Sequence, residues 1–236
     1  MNGFYMLIGI LKLGPMAEPL REKHGQYSDM FQRLFSRYDF TYRIYDVDEK
    51  GELPARPDEC DGWILSGSKY GAYEDHAFIP PLEAFIRKVA ASGVPMAGIC
   101  FGHQIIAQAL GGKVEKFAGG WAVGAQHYLI DGTPVTLNAW HQDQVTQMPE
   151  GFDCVGSNDF CRYAAMVKGN QIFTIQPHPE FDDALIGDML ATRRDGPIPN
   201  ALIDAAETKL DESKNSSAIA DRIAQMFLAA EKRKTA

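Results

Sequence analysis

The chain has 236 residues, of which 45% are hydrophobic and 23% charged, enough to bury the core of one α/β domain without a disulfide or metal staple. Its formal net charge of −8 argues against a nucleic-acid surface, which needs clustered Lys and Arg; the short run Lys232-Arg233-Lys234 reads as a solvated terminus. Cys60, Cys100, Cys154 and Cys161 have neither CxxC pairing nor metal-ligand spacing, so a reducing compartment and no metal centre are expected.

Met1 to Leu13 is apolar, but no basic segment precedes it, Lys12 interrupts it and no small-residue cleavage site follows. It predicts a first core strand, over Tyr5 to Leu11, rather than a signal peptide. No stretch reaches the roughly 18 uninterrupted apolar residues of a membrane span, so a cytoplasmic protein without a membrane partner is expected. Met30, Phe31, Leu34 and Phe35 give Tyr27 to Arg37 helical spacing. Strands follow at Tyr42 to Val47 and Gly62 to Leu65, the latter stopping at Ser66-Gly67-Ser68. Leu82 to Ala91 is a helix with Leu82, Phe85, Ile86 and Val89 on one face. Val94 to Ile99 is a strand, and His103 to Leu110 a helix ended by Gly111-Gly112. This alternation predicts a mostly parallel sheet with helices on both faces.

From Lys113 to Phe173 the pattern changes to short β pieces: Val114 to Phe117, Gln126 to Ile130, Val135 to Leu137, Ala164 to Val167 and Gln171 to Ile175. They read as a small antiparallel addition. After Phe181 the chain is helical, over Ala184 to Arg193 and Ala218 to Lys232, with a loop or broken helix between. The expected organisation is a domain over residues 1–182 with a helical extension over 183–236 packed on it.

The most informative stretch is Val94-Pro-Met-Ala-Gly-Ile-Cys100-Phe-Gly-His-Gln. A strand runs into Cys100, a helix begins directly after it, and Gly98 and Gly102 flank it, the pattern of a nucleophile elbow. The glycines suit a tight turn with close backbone approach. The helix N-terminus favours a thiolate there, and the Phe101 N–H suits an oxyanion. The other three cysteines lack this frame and read as small buried hydrophobes.

A nucleophilic Cys needs a base, and the base an orienting group. Gln176-Pro-His178-Pro-Glu180 offers both. Its prolines restrict the backbone, and in an extended segment residues two apart share a face, so Glu180 reaches one ring nitrogen of His178 while the other faces Cys100. His141 competes as a base but lacks so clear an orienter. His103 reads as ordinary helix surface.

Gly-Ile-Cys-Phe-Gly-His-Gln followed by Gln-Pro-His-Pro-Glu resembles the triad class I glutamine amidotransferases, in particular the glutaminase domain of GMP synthase and its free-standing relatives. The resemblance covers residues 5 to 182 and implies their flavodoxin-like fold. It further implies that Cys100 attacks a γ-glutamyl amide to form a thioester, that His178 protonates the departing amine and that Glu180 holds the imidazole. The second oxyanion donor is expected from Gly67 and Ser68, where the family usually reads Ser-Gly-Gly-Pro and this chain has Ser68 and Lys69.

Gln104 matches the family residue that contacts the substrate glutamine. Trp140-His141-Gln142-Asp143 resembles the Ser-His-Gly-Asp stretch lining the glutamine site, with Trp140 and Gln142 bulkier than the family's Ser and Gly. Gly119-Gly120-Trp121 reads as a further rim loop. No cofactor is implied. Without a P-loop or room for a synthetase domain, the chain acts either alone on glutamine or another γ-glutamyl compound, as γ-glutamyl peptidases do, or as a glutaminase subunit for a separate synthetase. A non-catalytic regulatory module is the third alternative, and the complete triad speaks against it.

Overall fold

The computed structural model describes residues 5–234, with side chains through residue 230. Met1 to Phe4 of the expected first apolar run, and the side chains of the basic tail, lie outside the described residues.

In chain order the elements are β1 (Met6–Lys12), α1 (Glu18–His24), α2 (Tyr27–Leu34), β2 (Phe40–Asp46), α3 (Val47–Lys50), β3 (Gly62–Leu65), α4 (Ile79–Ser92), β4 (Met96–Ile99) and α5 (Phe101–Ala109). There follow β5 (Lys113–Lys116), β6 (Ala122–Ile130), β7 (Thr133–His141), β8 (Asp143–Gln147), β9 (Asp153–Ser157), β10 (Ala165–Lys168), β11 (Ile172–Ile175), α6 (Asp183–Thr192), α7 (Asn200–Glu207) and α8 (Ser216–Lys234). A nine-stranded sheet runs in the order β2-β1-β3-β4-β11-β10-β9-β6-β7, and β5 pairs with β8 in a separate two-stranded sheet. Strands β2, β1, β3, β4 and β11 are parallel, while β10, β9, β6 and β7 continue the sheet in antiparallel pairing.

Helices cover both faces, as the alternating pattern requires. On one face Ile8, Ile10, Ile64 and Ile175 meet Phe31 of α2, Leu185 of α6, Ile203 of α7 and Phe227 of α8. On the other, Leu11, Trp63, Leu65 and Met96 meet Leu82, Phe85 and Ile86 of α4 and Ile105 and Ile106 of α5. Each such buried aliphatic or aromatic side chain contributes about 1.5–3 kcal/mol. Among the described residues no helix is long and apolar enough to cross a membrane.

Strand β6 and β7 form a hairpin closed by Asp131 and Gly132, both at positive φ. Elements the apolar pattern does not announce are α1, α3, β8, β9 and α7; Val47, expected to end a strand, opens α3. Helix α1 is short, with Leu20 as its buried residue. In β8 Val145 is the one apolar residue, and in β9 Cys154 and Val155 are adjacent instead of alternating, so the strand period is weak. Helix α7 starts directly after Pro199, inside the segment expected as loop or broken helix.

Candidate active site

Cys100 sits between β4 and α5 with φ 53° and ψ −105°, a left-handed backbone unusual for a residue with a side chain. The neighbouring elements force this turn. The Cys100 N–H donates to the Ile175 carbonyl of β11 (2.9 Å), and the Gly102 N–H donates to the Ser66 carbonyl at the end of β3 (3.0 Å). A Cβ on Gly102 would lie 2.8 Å from the Leu65 carbonyl carbon and still nearer its oxygen, and one on Gly98 would lie 2.5 Å from the Gly102 oxygen. Gly102 is therefore required for the elbow to pack against β3, and Gly98 for β4 to lie against the first turns of α5. The turn leaves the Phe101 N–H at the first position of α5, where a helix offers no internal acceptor.

The loop after β3 is held from behind. Ser66 Oγ accepts from the Leu13 N–H and donates to the Gly67 carbonyl, both at 2.9 Å. Because the peptide unit is planar and trans, that grip turns the Ser68 N–H away from the Ser66 hydroxyl. A Cβ on Gly67 would fall 3.0 Å from His178 Cε1 and 3.1 Å from Tyr27 Cε1, so the missing side chain lets the loop approach both rings. Ser66→Ala leaves the Leu13 N–H unpaired in the core and frees the Gly67 carbonyl. It is expected to cost about 1–3 kcal/mol in urea unfolding and to lower turnover with KM little changed.

His178 follows β11 and is anchored to β7, its N–H donating to the Asn138 carbonyl (2.8 Å). Its ring Nδ1 meets Glu180 Oε1 at 2.7 Å, and a carboxylate oxygen accepts, so Nδ1 carries the proton. The ring also lies close enough to Cys100 for the two to influence one another electrostatically, and Nε2 is the ring nitrogen not taken by Glu180. The three side chains thus meet. They meet through a turn, however, and not through the extended segment expected: the Phe181 N–H donates back to the His178 carbonyl (3.4 Å), closing residues 178–181. Prolines at 177 and 179 flank His178 on either side, but what brings Glu180 under the ring is the reversal after Pro179.

Cys100 is 5% exposed and His178 2%. Burial opposes charge on the imidazole, yet Glu180 and Cys100 outweigh it and hold the His178 pKa above the ordinary range. The stability this pairing contributes is full below the unfolded imidazole value and is lost as pH rises through the raised one.

Gln104 is buried in the first turn of α5, its Nε2 donating to the Asp143 carbonyl (2.9 Å) and to Gln176 Oε1 (3.1 Å). The same Asp143 carbonyl lies 3.2 Å from His141 Nδ1. Gln104, His141 and Asp143 are therefore tied to one another and, through Gln176, to the His178 segment. The Asp143 carboxylate accepts from the Tyr73 hydroxyl (3.2 Å). Gln142 donates to the Phe117 carbonyl (3.3 Å), and Trp140 packs against the cluster that contains Cys100. Gly119 and Trp121 border a cavity of about 320 Å³ beside α7, a cavity lined by none of Gly67, Ser68, Cys100, Phe101, His178 or Glu180.

Two expectations are corrected. His103 is not on the helix surface: it is fully buried, with Nδ1 2.8 Å from Thr174 Oγ1, because α5 is covered by the sheet on one side and by β8 and α4 on others. Cys154 is exposed, with its thiol 3.4 Å from the Gly156 and Arg162 carbonyls, whereas Cys60 and Cys161 are buried. Burial raises the Cys60 pKa to about 11 and the Cys161 pKa to about 12.

His103 and His141 are both held neutral. Burial lowers each to about 3, with His141 adding to the effect on His103; at His141 burial outweighs the Asp143 hydrogen bond and His178 reinforces it. Unfolded, each ring takes up a proton below about pH 6.5. Stability present above that pH is therefore lost on acidification, by at most about 1.4 kcal/mol per pH unit for each ring. His103→Gln is expected to flatten the decline of urea midpoints between pH 6 and pH 4. A slope equal to that of the unaltered chain would mean the folded ring is already protonated.

Two residues that apolar periodicity did not single out border the site, Tyr27 from α2 and Phe181 directly after Glu180. For Phe181 its adjacency to the Pro-His-Pro-Glu motif is a usable signal. For Tyr27 there is none, since α2 lies far from both motifs in sequence.

The model of the glutamine amidotransferase class-I family matches residues 20–192. The chain belongs to the class I glutamine amidotransferases. It is 26% identical over 235 residues to gamma-glutamyl peptidase 4 of Arabidopsis thaliana, covering 91% of this chain and 92% of that protein. It is 35% identical over 177 residues to the glutamine-hydrolysing GMP synthase of Leifsonia xyli, covering 69% of this chain and 33% of that enzyme. The crystal structure of a glutamine amidotransferase from Thermotoga maritima shares the fold, with a TM-score of 0.69 at 19% identity, covering 95% of this amidotransferase chain and 96% of the other.

Proposed function

We propose that this amidotransferase hydrolyses γ-glutamyl amides through a thioester on Cys100. What carries the reading is the His178 ring, hydrogen-bonded to Glu180 and in electrostatic contact with Cys100. The Cys100 thiol gives its proton to His178 Nε2 and its sulfur attacks the γ-carbonyl carbon, and the oxyanion so formed takes the N–H groups of Phe101 and Ser68, with Gly67 giving that loop its close approach. His178 Nε2 gives its proton to the amide nitrogen as the C–N bond breaks, releasing ammonia or an amine and leaving the thioester. Water then attacks the thioester, His178 takes its proton, and the C–S bond breaks to give glutamate and free thiol. Glu180 keeps Nδ1 protonated throughout. In this reading the buried Gln104–His141–Asp143 group, with Trp140 and Gln142, shapes the glutamyl pocket, and residues 1–182 are the catalytic domain to which the helical segment 183–236 is added.

Action on γ-glutamyl compounds without a synthetase rests on the likeness to the Arabidopsis peptidase, of which the match spans 92%. The second reading, a glutaminase subunit for a separate synthetase, rests on the higher identity to the GMP synthase. Incubation with glutamine and with γ-glutamyl dipeptides, followed by glutamate release, separates them. Release from dipeptides by the isolated chain supports the first; weak release from glutamine alone, stimulated by a captured partner, supports the second. No glutamate from any of them, with Cys100 reduced, refutes both.

A further inference from the structure

The mechanism makes no use of the rings behind the imidazole. Phe181 lies flat on His178, with centroids 3.9 Å apart and planes within 6°, and Tyr27 stacks in turn on Phe181 at 5.9 Å and 26°. Backbone bonds fix this stack. The Phe181 N–H donates to the His178 carbonyl, the Phe181 carbonyl accepts from Asn138 Nδ2 (3.0 Å), and the Asn138 carbonyl accepts the His178 N–H. Phe181 is itself buried, so water does not compete for that face of the imidazole.

We propose that Phe181, backed by Tyr27, is a positioning residue that stabilises the protonated form of the His178 ring and holds it in line with Cys100. An aromatic face attracts a cation, and more strongly where water is excluded. The titratable groups acting on His178 are Glu180 from its own turn, Cys100 from the start of α5 and His141 from the end of β7, while Tyr27 from α2 lies behind Phe181 and borders Cys100 and Glu180. Glu180 and a Cys100 thiolate favour the imidazolium. His141 is neutral near pH 7, and burial keeps Tyr27 protonated. Phe181 adds attraction from a direction that no carboxylate or thiolate covers. With the ring fixed, His178 remains a proton donor at the pH where a free imidazole has lost its proton. The inference rests on Cys100 and His178 being the reacting pair.

The test is a ¹⁵N-histidine NMR titration of the full chain, with His178→Asn assigning the signal, alongside iodoacetamide labelling of Cys100 read by peptide mass. Phe181→Leu is expected to lower the His178 titration by about half a unit to one unit, and to reduce kcat for glutamine more than it changes KM. Phe181→Trp restores both, and Tyr27→Leu moves the titration the same way by less. An unmoved titration in Phe181→Leu, or Phe181→Trp behaving like Phe181→Leu, overturns the proposal. Should a thermal melt find Phe181→Leu unfolded, Tyr27→Leu decides, and an unmoved titration there is equally fatal. Cys100 labelling that is identical in the unaltered chain and in His178→Asn refutes the reacting pair itself, and the stacking proposal with it. Labelling that depends on His178 while Phe181→Leu leaves the titration in place refutes the stack alone.

Discussion

Cys100→Ala is expected to lower glutamate release from glutamine or a γ-glutamyl dipeptide by about 10⁴-fold or more, the scale set by removing the nucleophile of a triad. KM has no meaning for the residue that remains, so the comparison is of single-turnover glutamate yield. The fold should survive, because the alteration removes one sulfur atom. A second variant separates chemistry from architecture. At φ 53° and ψ −105° any side chain is strained. Cys100→Gly relieves that strain, and is expected to be about 1 kcal/mol more stable than Cys100→Ala in urea unfolding while equally inactive. If either variant kept more than a hundredth of the original turnover, the thiol would not be the nucleophile.

Gly102→Ala carries the second large effect. The new methyl would meet the Leu65 carbonyl and the Leu65 Cβ, the latter at 2.8 Å. The obstacle is backbone within the sheet, so it cannot swing aside as the tip of a flexible side chain could. Either α5 lifts away from β3 or β3 bends. Both outcomes move Phe101, at the start of α5, relative to Gly67 and Ser68, which follow β3. A displacement near 1 Å at a reacting centre costs about 100-fold in rate, and overpacking against a rigid neighbour costs about 1–3 kcal/mol or more. Urea unfolding and turnover should therefore fall together. Gly111→Ala is the matched control: it lies just beyond α5 at positive φ with no atom within 4 Å of its added Cβ, so it should lose stability from backbone strain without a comparable loss of turnover per folded molecule. Equal turnover losses in the two variants would mean that Gly102 matters only as a turn residue.

The 3.6-residue period of α4 and the continuous apolar runs of β1, β3 and β4, strands buried on both faces, were enough to find those elements, and α5 followed from its place after the Cys100 turn. The elbow around Cys100 was legible for a related reason: strand, Cys, flanking glycines and helix are contiguous in sequence, although β11 and β3 hold the turn in place. The His178–Glu180 pairing was visible as a spacing of two, although its cause is the turn after Pro179 and not an extended backbone.

What tertiary structure decided lies between elements distant in sequence. His103 sits on a helix whose every side is covered, so a polar residue that local pattern assigns to solvent is buried against Thr174 of β11. Gln104 is directed at Asp143 and Gln176 because β8 and the end of β11 converge over α5. Tyr27 reaches Phe181 and the loop at Gly67 only because α2, far from both motifs in sequence, packs beside β1. Sequence alone pointed to Cys100, His178 and Glu180 and to the strand-Cys-helix order, since these are read from neighbours along the chain. The surroundings of the imidazole, its protonation and the closure of the site were left to packing, because burial and electrostatic coupling are set by groups that meet only when the chain has folded.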